Sequence, residues 1–155
     1  MEYNNSTHEK YMSIALRLAM IAYLKGEVPV GAIIVRNGKI ISGACNMREI
    51  HSSAVSHAEA LAIGAACKKI NNWRLENCTL YTTLEPCPMC AGAIINSRIP
   101  NIVIGAPDKI GGACGSVVNL LDGMFNFTPN IIYGIKENEC STILKNFFKE
   151  LRKKL

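Results

Sequence analysis

Two short stretches of this sequence carry side chains with chemistry to do. They are His57-Ala58-Glu59 and, further along, Pro86-Cys87-Pro88-Met89-Cys90. One imidazole and two thiolates are good zinc ligands, and three protein ligands leave the fourth tetrahedral position open to water, as a catalytic site requires. Zinc lowers the pKa of bound water from about 15.7 toward about 7, so hydroxide becomes available at neutral pH. Glu59, left out of the ligand set, is then the base that takes the water's proton and later delivers it to a leaving group. A Cys-x-x-Cys pair at the start of a helix lets both sulfurs converge on one ion, and the positive end of the helix dipole favours the thiolates that bind it.

The spacing H-x-E followed by P-C-x-x-C is shared with zinc-dependent nucleobase deaminases, where protons pass through the glutamate to a ring nitrogen and to departing ammonia. Residues two apart on a regular helix point away from each other. His57 and Glu59 can therefore share a site only at a helix start, and Ser56 is available there as a cap. Two other uses of the cysteines compete with this one. A redox pair calls for a thioredoxin-like context that the order of elements does not supply. A structural zinc site needs a fourth ligand, for which Cys78, Cys114 or His51 are formally available, and it leaves Glu59 without a role. His8 and His51 read as exposed surface histidines.

The elements that must position these residues can be read from periodicity. Ser6-x-x-Glu9 is a possible capping box opening an amphipathic helix that carries Tyr11, Ala15, Leu18 and Ala22 and ends near Gly26. Val30 to Arg36 and Lys39 to Cys45 are strands joined by Asn37-Gly38, the dipeptide best suited to a type I′ hairpin. Ser56 to Lys69 reads as a helix and Thr79 to Thr83 as a strand. Pro88 opens a further helix, at a position where its missing N–H costs nothing. Asn101 to Gly105 is a strand, the stretch from Gly111 to Ser116 a glycine-rich loop, Asn130 to Tyr133 a last strand and Asn138 to Lys154 a closing amphipathic helix. Strands interleaved with helices after an opening hairpin give a layered α/β domain with a mixed sheet.

Length and composition fit one domain over residues 1–155, with 49% hydrophobic and 19% charged residues. No apolar run is long enough to span a membrane and no signal peptide is evident, so a cytoplasmic protein is expected. Seven scattered cysteines argue for reduced thiols over a disulfide scaffold. The net charge of +5, with Lys149, Arg152, Lys153 and Lys154 near the end of the chain, suits either a polyanionic partner or a solvated helix terminus.

Four phrases together are more specific than the zinc signature: Glu27-Val28-Pro29-Val30-Gly31-Ala32, His57-Ala58-Glu59, the run from Tyr81 to Ile94, and Gly105-Ala106-Pro107-Asp108 with the glycine loop after it. With them the chain resembles the bacterial tRNA-specific adenosine deaminases, a branch of the cytidine/deoxycytidylate deaminase superfamily, from Ala15 to Lys153. The resemblance implies a three-layer α/β/α cytidine deaminase-like fold around a central mixed five-stranded sheet, and a homodimer with one zinc ion per subunit. It implies hydrolysis of adenosine to inosine at the wobble position of a tRNA anticodon, that of an arginine tRNA. It places Asn46 against the target base and Asp108 near the RNA backbone. It assigns anticodon-loop contacts to the last helix, where Phe148, Lys149 and Arg152 are the candidates. Two departures stand out: Ser56 where the family usually has Ala, and Lys109 directly after Asp108 where the family's lysine comes one residue later. Because the zinc site is shared across the superfamily, deamination of a free base or nucleotide such as guanine or cytosine is the alternative. A zinc-stabilised, non-catalytic RNA-binding subunit is a further one, against which Glu59 argues.

Overall fold

The computed structural model describes residues 3–155. Its elements run α1 (Asn5–Leu24), β1 (Gly31–Arg36), β2 (Lys39–Cys45), α2 (Ala58–Ile70), β3 (Cys78–Leu84), α3 (Pro88–Ser97), β4 (Asn101–Ala106), β5 (Asn130–Tyr133) and α4 (Glu137–Lys153). The strands form one five-stranded sheet in the order β2-β1-β3-β4-β5. β1 lies antiparallel to both β2 and β3, while β3, β4 and β5 are parallel, so the sheet is mixed as expected. The hairpin closes at Arg36 and Lys39 with Asn37 and Gly38 both at positive φ, 50° and 73°, the conformation a type I′ turn demands.

Alternation along the strands builds two cores. Ala32 and Ile34 of β1, Leu80 of β3, and Ile102 and Ile104 of β4 pack with Ala58, Ala62 and Ala66 of α2 and Ile94 of α3. Ile33 and Val35, Tyr81 and Val103 face the opposite way, against Tyr11, Met12 and Ala15 of α1 and Cys140 of α4. A period of two on every buried strand is what sandwiches the sheet between helices on both faces. The α1 layer sits close because residue 31 is glycine: a Cβ there would collide with the carbonyl of Ala15 and the backbone nitrogen of Ala19.

Three local expectations are corrected. Asn4, not a Ser6–Glu9 box, caps α1, its side chain accepting the Thr7 N–H at 2.9 Å. Ser56 does not cap α2. It is buried, its hydroxyl lies 3.1 Å from His51 Nδ1, its carbonyl accepts the Met47 N–H, and His57 takes the cap position. His8 is not a surface residue: it is buried beside Tyr81, with its Nδ1 3.0 Å from the phenol oxygen, while His51 is exposed. The long-range partner, 73 residues away, is invisible to local pattern.

The strand directions gather one end of the sheet. The start of β1, the end of β2 and the ends of β3 and β4 all lie there, because Gly31 pairs with Cys45, Ala32 with Thr82, and Leu84 with Ala106. Loops leaving the carboxyl ends of parallel strands are where α/β sheets put their ligands. Among the described residues no helix is long and apolar enough to cross a membrane.

Candidate active site

Two helices begin at this end of the sheet. His57 is the residue before α2, with extended backbone (φ −77°, ψ 151°), so its side chain is freed from helical direction, and Glu59 stands in the first turn. This resolves the spacing problem: residues two apart meet because one of them lies outside the helix. Cys87 has the same place before α3, also extended (φ −72°, ψ 173°), with Pro88 in the first turn and Cys90 one turn along. Backbone N–H groups of Met89 and Cys90 face the Cys87 sulfur, and that of Ala60 faces the Cys90 sulfur. The unpaired donors of the two helix starts thus surround the thiols.

The ligand atoms of His57, Cys87 and Cys90 all lie within 4.8 Å of one another. His57 Nδ1 is 3.5 Å from Cys87 Sγ and 3.7 Å from Cys90 Sγ. With Zn–S bonds of about 2.3 Å and Zn–N bonds of about 2.0 Å, a tetrahedral ion separates nitrogen from sulfur by about 3.5 Å, so the donors fit zinc. Among the described residues the cluster holds these three donors and no fourth. Cys78, Cys114 and His51 stay outside it, which removes the ligand set of a closed structural site. The seven thiols are all free.

The electrostatics suit a cation. A hydrogen bond from Cys90, with the helix-start N–H groups and His57, holds the Cys87 thiol down at about 5. The bond it gives Cys87, then burial, pushes the Cys90 thiol far up. An ion held by His57, Cys87 and Cys90 would replace the thiol proton and be bound by both sulfurs as thiolates. Glu59, 4% exposed, has its carboxyl raised to about 7, first by burial and then by the neighbouring Cys87 charge.

His57, Glu59 and Cys87 open into one small pocket, about 130 Å³ in volume. Val28, Val30 and Leu84 supply apolar walls, while Asn46, Arg48 and Asp108 stand with His57, Glu59 and Cys87. Asn46 is buried, donating to the Val28 carbonyl at 3.2 Å and accepting the Arg48 N–H at 3.2 Å. Each polar end of its amide thereby keeps a second hydrogen-bonding position free. Asp108 Oδ1 accepts the N–H groups of Ile110 and Gly111, both at 3.0 Å. Lys109 and Ile110 are exposed beyond it.

The structure does not bring Phe148, Lys149 and Arg152 into the pocket. They lie on the exposed side of α4, Phe148 40% exposed, while Phe147 is buried edge-on against Tyr23. Sequence reasoning missed Glu85 and Arg48 as pocket neighbours, although Glu85 sits inside the run from Tyr81 to Ile94 and Arg48 stands two residues after Asn46. Glu85 is buried at the end of β3, its carboxylate bonded into the loop after β4.

Comparison with known proteins agrees with this geometry. The family model of the cytidine and deoxycytidylate deaminase zinc-binding region matches residues 5–106. The tRNA-specific adenosine deaminase of Bacillus subtilis is 50% identical over 147 residues, covering 94% of this chain and 91% of the relative. That of Aquifex aeolicus is 46% identical over 149 residues, covering 93% and 95%. A solved structure from work on A-to-I editing by tRNA:A34 deaminases at the wobble position of transfer RNA superposes with a TM-score of 0.84 at 37% identity, over 87% of this chain and 99% of that one. The likeness runs through both helix starts that carry the metal donors and continues past them to the end of the sheet: this chain belongs to the tRNA-specific adenosine deaminases, a family of zinc-binding hydrolytic deaminases.

Proposed function

We propose that this protein hydrolyses adenosine to inosine at the wobble position of a tRNA anticodon, that of an arginine tRNA, with Glu59 as its catalytic acid/base. The observation that carries the reading is the meeting of three zinc donors, a buried carboxyl and a buried amide in one small pocket. His57, Cys87 and Cys90 would hold the ion, which supplies Lewis-acid activation of a water at neutral pH. Glu59 does the proton work. Burial raises its carboxyl to about 7 before any cation is bound, so the group can both accept a proton from water and give it to the ring nitrogen and the departing amine. Asn46 offers its free amide positions to the edge of the base, and Val28, Val30 and Leu84 enclose the planar ring while excluding water.

A pocket of this size reads one base at a time, so the nucleotide must leave its stack. Unstacking is least costly in a single-stranded loop, which favours an anticodon loop over duplex RNA. Asp108 at the pocket mouth lies where the backbone beside the target passes. Phe148, with Lys149 and Arg152 on the exposed side of α4, supplies an aromatic face between cations, the combination that holds neighbouring bases and phosphates. We read the chain as a single deaminase domain that works as a homodimer in the cytoplasm with one zinc per subunit.

The test is incubation of the zinc-loaded protein with an anticodon stem-loop bearing adenosine at the wobble position, alongside free adenosine, guanine and cytosine. Inosine from the stem-loop alone is the expected result. Ammonia from a free base with none from the stem-loop would assign the zinc site to a different substrate.

A further inference from the structure

We propose that Glu85 is a positioning residue for the substrate: its buried carboxylate folds the loop of residues 108–116 into the shape that sets Asp108 at the mouth of the base pocket. The inference rests on the reading of that pocket as the base site. Glu85 leaves β3 where its side chain faces the loop that follows β4. Its Oε2 accepts the Asp108 N–H at 3.0 Å and the Ser116 hydroxyl, and its Oε1 accepts the Cys114 N–H at 3.0 Å and the Ser116 N–H at 2.9 Å. An ionised carboxylate has about four acceptor positions, and the loop uses all of them. Glu85 therefore has none left for a ligand, and what it does for the substrate it does through the loop.

The loop is shaped around this anchor. Gly112 donates its N–H to the Asp108 carbonyl at 2.9 Å, and a Cβ at residue 112 would run into that carbonyl and into the Glu85 carboxyl group. Ala113 donates to the Pro86 carbonyl at 2.9 Å, and the Tyr133 hydroxyl donates to the Cys114 carbonyl. Ala113 and Cys114 are fully buried in the core and fix the far half of the loop, whereas beside Asp108 apolar burial contributes little, Lys109 being exposed and Ile110 94% exposed. Charge-assisted bonds to one carboxylate thus hold the segment that carries Asp108, and such bonds are about twice as strong as neutral ones.

Glu85→Gln isolates this role. The amide keeps the shape but has one acceptor oxygen, so an NH₂ group must face at least one N–H. With the oxygen turned to Cys114 and Ser116, the conflict falls on Asp108. Amide hydrogen exchange on the zinc-loaded, substrate-free protein is expected to speed up about tenfold or more at Asp108, with smaller changes outside residues 108–116. In the stem-loop assay KM is expected to rise about tenfold while kcat stays within about threefold, with one zinc per chain retained. In an Asp108→Ala background, Glu85→Gln is expected to add no further rise in KM, because its effect passes through Asp108.

Wild-type exchange rates across the loop in Glu85→Gln would overturn the proposal, and so would an additive rise in KM in the double variant. If Glu85→Gln does not fold, Gly112→Ala disturbs the same anchor from the loop side. It is expected to show the same exchange and KM pattern, and its failure to do so overturns the proposal equally. If the wild-type protein makes no inosine from the stem-loop, the substrate reading falls, and the exchange experiment still decides whether Glu85 holds the loop.

Discussion

Glu59→Gln separates proton transfer from metal binding, and both halves can be given sizes. Gln fills the same buried place in the first turn of α2, where Glu59 is 4% exposed, and contributes no atom to the cluster of His57, Cys87 and Cys90. Zinc content is therefore expected to remain one per chain. General acid/base catalysis is worth about 10²–10⁴-fold, or roughly 3–5 kcal/mol of activation free energy, and Gln can neither take the water's proton nor return it. The base must be ionised, so wild-type kcat/KM is expected to fall as pH drops below about 7, with the bound cation drawing that limb lower, and the limb is expected to vanish in the variant. Metal analysis and single-turnover inosine formation between pH 5.5 and 8.5 read all three quantities. Turnover within tenfold of wild type would refute the assignment of the proton shuttle, and loss of the metal would make Glu59 a ligand instead.

Other perturbations probe other parts of the molecule. Cys87→Ala removes the donor whose thiol is held down by the Cys90 side chain, the Cys90 and Met89 N–H groups and His57, so zinc and thermal stability are expected to fall together; one zinc per chain in that variant contradicts the ligand set. Burial keeps the His8 imidazole below its ordinary 6.5, so the unfolded chain takes up a proton first as pH falls. Stability contributed by neutral His8 is present above about 6.5 and lost as pH drops through the lower folded value. His8→Gln, able to keep the bond to Tyr81, is expected to flatten the fall in Tm between pH 7.5 and 5, and an unchanged slope counts against it. Phe147→Ala is expected to cost about 3 kcal/mol of stability, because that ring is buried against Tyr23. Phe148→Ala, removing a ring 40% exposed that meets Phe147 edge-on, is expected to lower stability less than Phe147→Ala and to weaken stem-loop binding by about 1–3 kcal/mol; the reverse pattern in denaturation and binding assays contradicts the placement of α4.

Much of this architecture is legible in the sequence because it is written locally. The hairpin follows from Asn37-Gly38, and the metal donors follow from two helix starts marked by His57 and by Cys87 with Pro88. The errors have physical causes. Ser56 is a good cap by type, but the cap position belongs to His57, whose extended backbone turns the imidazole toward the two sulfurs, and Ser56 is left to bond His51. His8 reads as a surface residue because Tyr81, which shelters it, lies on another element. Glu85 gives no periodic signal at all. Its meaning resides in backbone N–H groups that lie 23 to 31 residues later and come within reach only when β4 pairs beside β3.

The reaction proposed for this pocket is inosine formation at one position of a tRNA. Its most direct test is treatment of a full arginine tRNA transcript with wild-type protein and with Glu59→Gln, followed by sequencing in which inosine reads as guanosine. Conversion is expected at the wobble adenosine alone, by the wild type alone. Conversion at other adenosines of the transcript, or equal conversion by the variant, would contradict it.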